Sequence, residues 1–349
     1  MTENSDNPEV LATPAPRIDD VQPAAAMAAG EVELLGAGLG PDGFGPPEVL
    51  VDGKLAHVTM SRGSRLAFRV PEEAETGLVV VNGQGGASNT VPLRVARLLA
   101  DGLHPVTSAV VGPSGNVYAT ISGARGKMTP ASVVRITPGG HSTPFVEGIL
   151  NATGLAFSPD GELYVTSRAE GIVYRVNSGG EYDTYVEGMG TATGLCFDAE
   201  GNLFVGDRSG TIFKIDPRRQ IFVHATLPSS VSAYHMAINA EGTLFVTAPS
   251  LSSNEPVWKV EPNGDAAAWF RGLGRPQGLA LAEDGSVYVA ACLRGRRGLV
   301  RISPERKAEL VLAANSLVGV AFSPLGTTIL TTGESACEVD LGVEGLHLF

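Results

Sequence analysis

Residues 194–216 read GLCFDAEGNLFVGDRSGTIFKID. Three apolar runs, GLCF, LFVG and TIFKI, are separated by one turn at residues 198–201 and another at residues 209–210. Alternating apolar and polar residues rich in Phe, Ile and Val, interrupted by Gly-containing turns, are typical of antiparallel strands joined by hairpins. This stretch therefore predicts one small antiparallel sheet.

The same pattern recurs along the chain. Related segments begin at residue 154 (GLAFSPDGELYVTSRAEGIVYRV), 235 (HMAINAEGTLFVTAP), 278 (GLALAEDGSVYVAAC) and 319 (GVAFSPLGTTILTTG), and a looser copy, SAVVGPSGNVYATIS, begins at residue 108. The six starting positions lie 46, 40, 41, 43 and 41 residues apart. A period near 40 residues fits one four-stranded blade of a propeller. We predict a six-bladed β-propeller over residues 96–349.

The N-terminal part of the chain has a different pattern. Short alternating runs, VELLGAG, EVLVDG, HVTM, LAFRV and LVVVNG, are each closed by Gly, Pro or Asn-Gly. Strands at this spacing predict a small β-sandwich over residues 15–95, so the whole chain is predicted to be all-β. Asn82 and Gly83 are predicted to form a hairpin turn rather than part of a phosphate loop. Residues 1–14 are polar and aperiodic, which predicts a disordered tail.

Composition limits the classes of partner. The formal net charge is −12, which argues against a nucleic-acid surface, because such a surface needs a basic face. The sequence contains no apolar run of about 18 residues and no basic-then-apolar leader at its start, so we expect neither a membrane nor a secretory location. Its three cysteines have no paired spacing and indicate a reducing compartment. These features predict a cytoplasmic protein.

Two resemblances to known families follow from the motifs. GEVELLGAGL at residues 30–39, PEVLVDG at residues 47–53 and NGQGGAS at residues 82–88 resemble IPT/TIG immunoglobulin-like domains, which are usually spacers or adhesion modules. The repeated GLxF…DG…Tyr/Phe-Val signature, at residues 154–165, 194–205 and 278–289, resembles the NHL-repeat proteins and the SMP-30/gluconolactonase family of propellers. The second resemblance implies a sugar lactonase that holds a divalent metal at the central channel.

The residues that precede each repeat test this implication. We expect them to line the channel, and they are Thr107, Thr153, Thr193, Tyr234, Gln277 and Val318. Thr193 and Thr153 stand where the resemblance implies a metal-binding Asp and Asn, and no GE-x-P-x-W motif opens the first repeat. Because Ca²⁺ prefers six to eight oxygen ligands including carboxylates, the sequence assigns no metal site and no cofactor. A divalent cation such as Ca²⁺ belongs only to the lactonase alternative.

Other candidates for chemistry lie at the ends of the second strands and on one inner strand. Asp207 and Glu334 occupy corresponding positions beside the channel, in a set that also contains Arg168, Arg208 and Arg294; either carboxylate would suit a metal ligand or a general base. His235 replaces the usual Gly of the repeat, and it is either a proton carrier or a hydrogen-bonded filler.

Two functions remain open from the sequence. The first is a non-catalytic propeller that binds a protein partner or a small ligand through loops at the channel mouth, namely residues 123–130 and 248–256. The second is a metal-dependent sugar lactonase with altered ligands. The sequence also leaves open which terminal segment, VARLLADGL at residues 95–103 or EGLHLF at the C-terminus, closes the ring.

Overall fold

The computed structural model of the protein describes residues 13–41, 45–250 and 254–348. These ranges contain β-strands, turns and no helix, which confirms the all-β prediction. Among them, no helix long and apolar enough to cross a membrane is found. The chain divides into two compact units, residues 1–95 and 96–349. The predicted tail at residues 1–14 lies outside the described residues except for its last two.

The described residues of the first unit form nine short strands. Two antiparallel groups, β1–β3–β6–β5 and β5–β4–β7–β9, share β5, and β2 pairs in parallel with β9. Apolar side chains of alternate residues, such as Val32, Leu34, Leu66 and Phe68, are fully buried between strands. The strands are β1 (Arg17–Gln22), β2 (Ala25–Ala26), β3 (Glu31–Ala37), β4 (Glu48–Val51), β5 (Lys54–Arg62), β6 (Arg65–Arg69), β7 (Gly77–Gly83), β8 (Gly86–Ala87) and β9 (Val91–Val95).

One turn in this unit differs from the sequence prediction. Asn82 and Gly83 belong to β7, where they pair with Ala87 and Gly86, so the hairpin loop is formed by the next two residues, Gln84 and Gly85. The Asn-Gly pair is a strong local signal for a turn. Here the pairing of β7 with β4, which extends to Asn82, keeps these residues in the sheet.

In the described part of residues 96–349, the strands form six antiparallel sets of four. Five sets are consecutive in the chain, and the sixth recruits β10 from the start of the unit. The strands are β10 (Arg97–Ala100), β11 (Val110–Val111), β12 (Val117–Thr120), β13 (Val133–Ile136), β14 (Ser142–Val146), β15 (Ala152–Phe157), β16 (Leu163–Ser167), β17 (Ile172–Val176), β18 (Tyr182–Val186), β19 (Ala192–Phe197), β20 (Leu203–Asp207), β21 (Thr211–Ile215), β22 (Ile221–Thr226), β23 (His235–Ile238), β24 (Leu244–Thr247), β25 (Glu255–Val260), β26 (Ala266–Gly274), β27 (Leu279–Leu281), β28 (Val287–Leu293), β29 (Arg296–Ile302), β30 (Ala308–Ala313), β31 (Leu317–Phe322), β32 (Thr328–Thr332) and β33 (Ala336–Val339).

The sets are arranged like the blades of a propeller. Each set has an inner strand, which comes first in the chain in the first five sets and is β31 in the sixth. Each inner strand neighbours that of the next set, in the order β11, β15, β19, β23, β27 and β31, and β31 neighbours β11 again. Antiparallel pairing places the start of every inner strand at the same end as the loop between the second and third strands. We call this end of the central channel the upper end, and the opposite end the lower end.

Neighbouring inner strands approach each other closely. A Cβ atom at Gly154 would collide with the carbonyl oxygen of Thr193 in the next set, so a side chain does not fit there. The Thr166 hydroxyl donates a hydrogen bond to that same carbonyl (2.8 Å) and accepts one from the Gly154 amide (2.8 Å). The small anchor residue and the threonine of the second strand therefore join one set to the next.

The two terminal segments of this unit have different places. Strand β10 pairs with β33, with Arg97 opposite Glu338 and Ala100 opposite Ala336, and so completes the sixth set. Gly345, near the C-terminus, instead bridges Ala282 on the lower side of the fifth set. The segment at residues 95–103 is thus the one that supplies the outer strand.

Candidate functional site

The inner strands surround a central cavity of about 220 Å³. Most of its wall is apolar, with Leu, Ala, Val and Phe side chains of all six sets. At the lower end the wall is completed by Leu346, His347 and Leu348, because the Leu346 amide donates a hydrogen bond to the carbonyl of Leu281 (2.9 Å). The repeat pattern gave no signal for this use of the C-terminal segment.

His235 is a polar residue on this wall. It begins β23, and its side chain is 4% exposed. Its Nε2 atom has no hydrogen-bond partner, and burial lowers the pKa of the imidazole to about 4. Because a buried charge without a partner is costly, His235 is neutral at physiological pH. The Nε2 atom thus makes no hydrogen bond that would support the interpretation of His235 as a hydrogen-bonded space-filling residue.

The six predicted channel residues have different surroundings. Thr107 and Tyr234 line the cavity, whereas Thr153 and Thr193 are buried where neighbouring sets meet. The Thr107 hydroxyl donates to the carbonyl of Thr153 (2.7 Å), and the Thr193 hydroxyl donates to the carbonyl of Gly206 (3.1 Å). Gln277 and Val318 are half-buried, and their backbone groups bond to neighbouring strands.

The remaining threonine follows the same rule, since the Thr153 hydroxyl donates to the carbonyl of Asn151 (2.9 Å). Tyr234 also directs its hydroxyl to backbone, namely the carbonyl of Pro228. These hydroxyl groups therefore hold the upper end of the channel together.

The two candidate carboxylates are not equivalent. Asp207 is buried at the end of β20, and its carboxylate accepts hydrogen bonds from the amides of Thr191 (2.9 Å) and Ser209 (3.2 Å) and from the Ser209 hydroxyl. Glu334 is exposed in the tight turn between β32 and β33. Within the described residues, no hydrogen bond joins the two carboxylates. In the ranges that the structure describes, no group of three or more His, Cys, Asp or Glu residues is arranged to hold a metal ion.

The arginines that the sequence grouped with Asp207 and Glu334 lie at the upper end of the channel. Arg168 and Arg208 are half-buried and directly follow the second strands β16 and β20. The Arg168 Nη2 donates to the carbonyl of Gly123 (3.4 Å), and the Arg208 Nη2 donates to the carbonyl of Val231 (2.9 Å). Arg294 instead forms a two-residue turn with Gly295, in which both residues have positive φ.

A buried residue that the sequence reasoning missed fixes one of the loops. Asn151 is 2% exposed and has a φ of 49°. Its side chain donates to the carbonyls of Gly123 (2.9 Å) and Ala124 (3.1 Å) and accepts from the amide of Gly126 (2.8 Å). Asn tolerates the left-handed conformation, so an Asn directly before the inner-strand motif was the available signal.

Together, the fold and this channel define an all-β, propeller-like protein. Residues 106–250 match the family model described as SMP-30/Gluconolactonase/LRE-like region, so this part of the chain is similar to that family. The match supports the SMP-30/gluconolactonase resemblance of the repeats. No curated protein sequence is significantly similar to the chain.

Solved structures agree with the fold. A structural-genomics protein of unknown function from Bacteroides thetaiotaomicron is 14% identical, with a TM-score of 0.58 over 97% of this chain and 100% of that one. A gluconolactonase from Xanthomonas campestris is 12% identical, with a TM-score of 0.58 over 70% of this chain and 89% of that one. An auxiliary nutrient binding protein from Bacteroides thetaiotaomicron is 11% identical, with a TM-score of 0.53 over 93% of this chain and 98% of that one. At these identities the likeness shows the fold alone.

The residues at the upper end do not fit the divalent metal that the gluconolactonase resemblance implies. The threonine hydroxyls there donate to backbone carbonyls, and the Asp207 carboxylate already accepts three hydrogen bonds. A Ca²⁺ ion needs six to eight oxygen ligands, several of them carboxylates. The residues present therefore support no reaction step through a metal ion.

Proposed function

We propose that residues 96–349 form a closed six-bladed propeller that acts as a binding module. It takes a protein partner or a small ligand at the upper end of the channel, at a rim that we assign to the loops at residues 123–130 and 248–256; residues 251–253 of the second loop lie outside the described residues. The observation that carries the proposal is that hydrogen bonds fix described residues of both loops: Gly123 accepts one from Arg168, and Pro249 accepts one from Val231, which itself accepts one from Arg208.

Hydrogen bonds fix each of the two loops at the upper end of the channel. Arg168 bonds to Gly123 in the first loop, and Asn151 fixes the rest of that loop. Arg208 bonds to Val231, whose amide donates to the carbonyl of Pro249 in the second loop (3.0 Å). A rim that is fixed before binding loses little conformational entropy on association, which favours affinity.

The rim also has the side chains of a binding surface. Met128 in the first loop and Val231 beside the second are 55% and 51% exposed. Met and Arg are enriched at protein interfaces, and the Val231 carbonyl accepts a hydrogen bond from Arg208. A partner with apolar and negatively charged groups would complement this rim.

The described chemistry favours binding over hydrolysis. Asp207 is engaged by backbone and serine donors, and Glu334 is an exposed turn residue. A general base needs to reach its proton and to have a pKa near the working pH. The imidazole of His235, with a pKa of about 4, is a weak base at neutral pH.

A sugar lactonase is the second candidate, favoured by the family match over residues 106–250 and by the likeness to the Xanthomonas campestris gluconolactonase. In that case neutral His235 on the channel wall would accept a proton from the attacking water.

For the first unit, we propose an immunoglobulin-like module of the IPT/TIG type that serves as a spacer. Its two strand groups with a shared strand and its buried alternate residues support the proposal.

Replacing the two loops tests the binding proposal. In one variant, residues 123–130 and 248–256 become short Gly/Ser turns; in the control, the turn at residues 304–306, which lies at the lower end between β29 and β30, is replaced in the same way. We expect both variants to fold, as judged by circular dichroism, and only the first to lose the partner that the wild type captures. Equal capture by both would show that the rim is not the contact surface.

A hydrolysis assay separates the two candidates. We expect gluconolactone to open at its spontaneous rate in the presence of the protein, with or without added Ca²⁺, Zn²⁺ or Mn²⁺. Enzymatic hydrolysis that disappears in His235→Leu would establish the lactonase and refute a purely binding role.

A further inference from the structure

Arginines from three successive sets gather at the upper end of the channel. Arg125 lies in the loop between β12 and β13, Arg168 follows β16, and Arg208 follows β20. Burial, and then the charges of Arg208 and Arg125, lower the pKa of Arg168. Arg168 is thus close enough to Arg125 and to Arg208 for their positive charges to disfavour its protonated form.

These arginines lack the carboxylate partners that usually accompany such a cluster. In the parts of the chain that the structure describes, no carboxylate lies within ion-pair distance of any of the three. The nearest acid in sequence, Asp207, is engaged by Thr191 and Ser209 instead. The buried Nε of Arg208 has no hydrogen-bond partner. An uncompensated cluster of this kind costs free energy in the unliganded protein.

The backbone around the cluster is held in place. Asn151 fixes the carbonyls and amide on either side of Arg125. The Arg208 amide donates to the carbonyl of Thr191 (3.2 Å), and its carbonyl accepts from the amide of Ser230 (3.0 Å). Side chains mounted on a fixed backbone lose less entropy when they close on a ligand. The cluster is therefore suited to binding.

We propose that Arg168 and Arg208, assisted by Arg125, bind a small oxyanion: a compact dicarboxylate or a phosphate group. The inference rests on the proposed function, since it names the ligand class for the upper end of the same channel. The planar guanidinium group presents paired N–H donors that match two oxygens of a carboxylate or phosphate.

The charge of the whole chain favours a small ligand over a polymer. The net charge is −12, so the chain as a whole repels anions. Screening limits the reach of exposed charges to about 8 Å at physiological salt. A small anion held within the cluster senses mainly the three arginines, whereas a long polyanion would extend across acidic surface.

Isothermal titration calorimetry at neutral pH and low salt tests the proposal, with succinate and inorganic phosphate as probes and uncharged succinamide as the matched control ligand. We expect at least one anion to bind and succinamide not to bind. Arg168→Gln and Arg208→Gln each weaken binding about 10-fold or more, because each removes a charged hydrogen-bond donor. The control variant Arg175→Gln removes the same charge from β17, where Arg175 contacts Asp183 and Glu162, and leaves binding unchanged.

Three results would overturn the inference: no binding of either anion at millimolar concentration, equal binding of succinamide, or equal weakening by Arg168→Gln and Arg175→Gln. Thermal unfolding of each variant verifies that it is folded. The relative affinity for succinate and phosphate decides which oxyanion the site prefers.

Replacing residues 248–256 alone leaves all three arginines in place. If that variant binds anions but captures the partner as the wild type does, the loop rim fails while the oxyanion site stands.

Discussion

The buried histidine makes the stability of the protein depend on pH in a defined direction. Burial lowers the pKa of His235 to about 4, below its ordinary value of 6.5, which we take for the unfolded chain. Between pH 6.5 and pH 4, His235 therefore binds a proton in the unfolded state and stays neutral in the folded state. The stability of the folded state relative to the unfolded state is therefore unaffected by His235 well above pH 6.5. It decreases as the pH falls from 6.5 toward 4.

The size of the effect follows from the shift. A difference of about 2.5 pKa units corresponds to about 3 kcal/mol, of which about 2 kcal/mol is lost between pH 7 and pH 5. His224 and His347 also have pKa values lowered by burial, so they add to the slope in the same direction. Only a variant at residue 235 isolates the contribution of His235.

We predict that His235→Leu has nearly the wild-type stability at pH 7 and exceeds it by about 2 kcal/mol at pH 5. Leu has a similar volume and no titratable group, and the lost Nε2 had no hydrogen-bond partner. Urea unfolding followed by tryptophan fluorescence measures this difference, since Trp258 and Trp269 lie in the same set as His235. His141→Gln, which changes an exposed histidine, is the control and keeps the wild-type pH dependence. Parallel pH curves for wild type and His235→Leu would refute the reasoning.

Three further changes test other contacts. Asn151→Ala removes three part-buried hydrogen bonds and costs about 2–4 kcal/mol; hydrogen exchange at residues 123–126 rises with it, and unchanged exchange would contradict the role of Asn151. Leu99→Ala, at a 5% exposed site in β10, costs about 2–5 kcal/mol, whereas Leu98→Ala, at a 55% exposed site, costs less than about 0.5 kcal/mol; equal melting temperatures would show that β10 is not packed in the sixth set. Gly194→Ala places a Cβ against the carbonyl of Tyr234 and lowers the melting temperature strongly, while Gly63→Ala, where a Cβ meets nothing within 4 Å, does not; similar melting temperatures would argue against close contact of the inner strands.

Much of the candidate site followed from the repeat. Aligning the copies placed Arg168 and Arg208 at equivalent positions after the second strands, and antiparallel pairing puts those positions at the same end of the channel. The repeat also singled out His235 as the residue that replaces glycine. Such inferences succeed because equivalent positions of a repeat have equivalent places in the fold.

Other features depended on contacts between distant parts of the chain. Asp207 looked available for chemistry, yet Thr191 and Ser209 occupy its carboxylate. Asn151 has no place in the repeat motif, and its role depends on a loop 25 residues earlier. Local patterns do not encode which side chain satisfies which buried backbone group.

The sequence by itself determined the all-β class and the period of about 40 residues, because strand alternation and turn chemistry are local and recur in every copy. Only the tertiary structure decided that β10 rather than the C-terminal segment completes the sixth set, and that residues 346–348 line the cavity. Both segments are short and apolar, so pairing energy alone does not distinguish them. The choice rests on which one the closed arrangement brings beside β33.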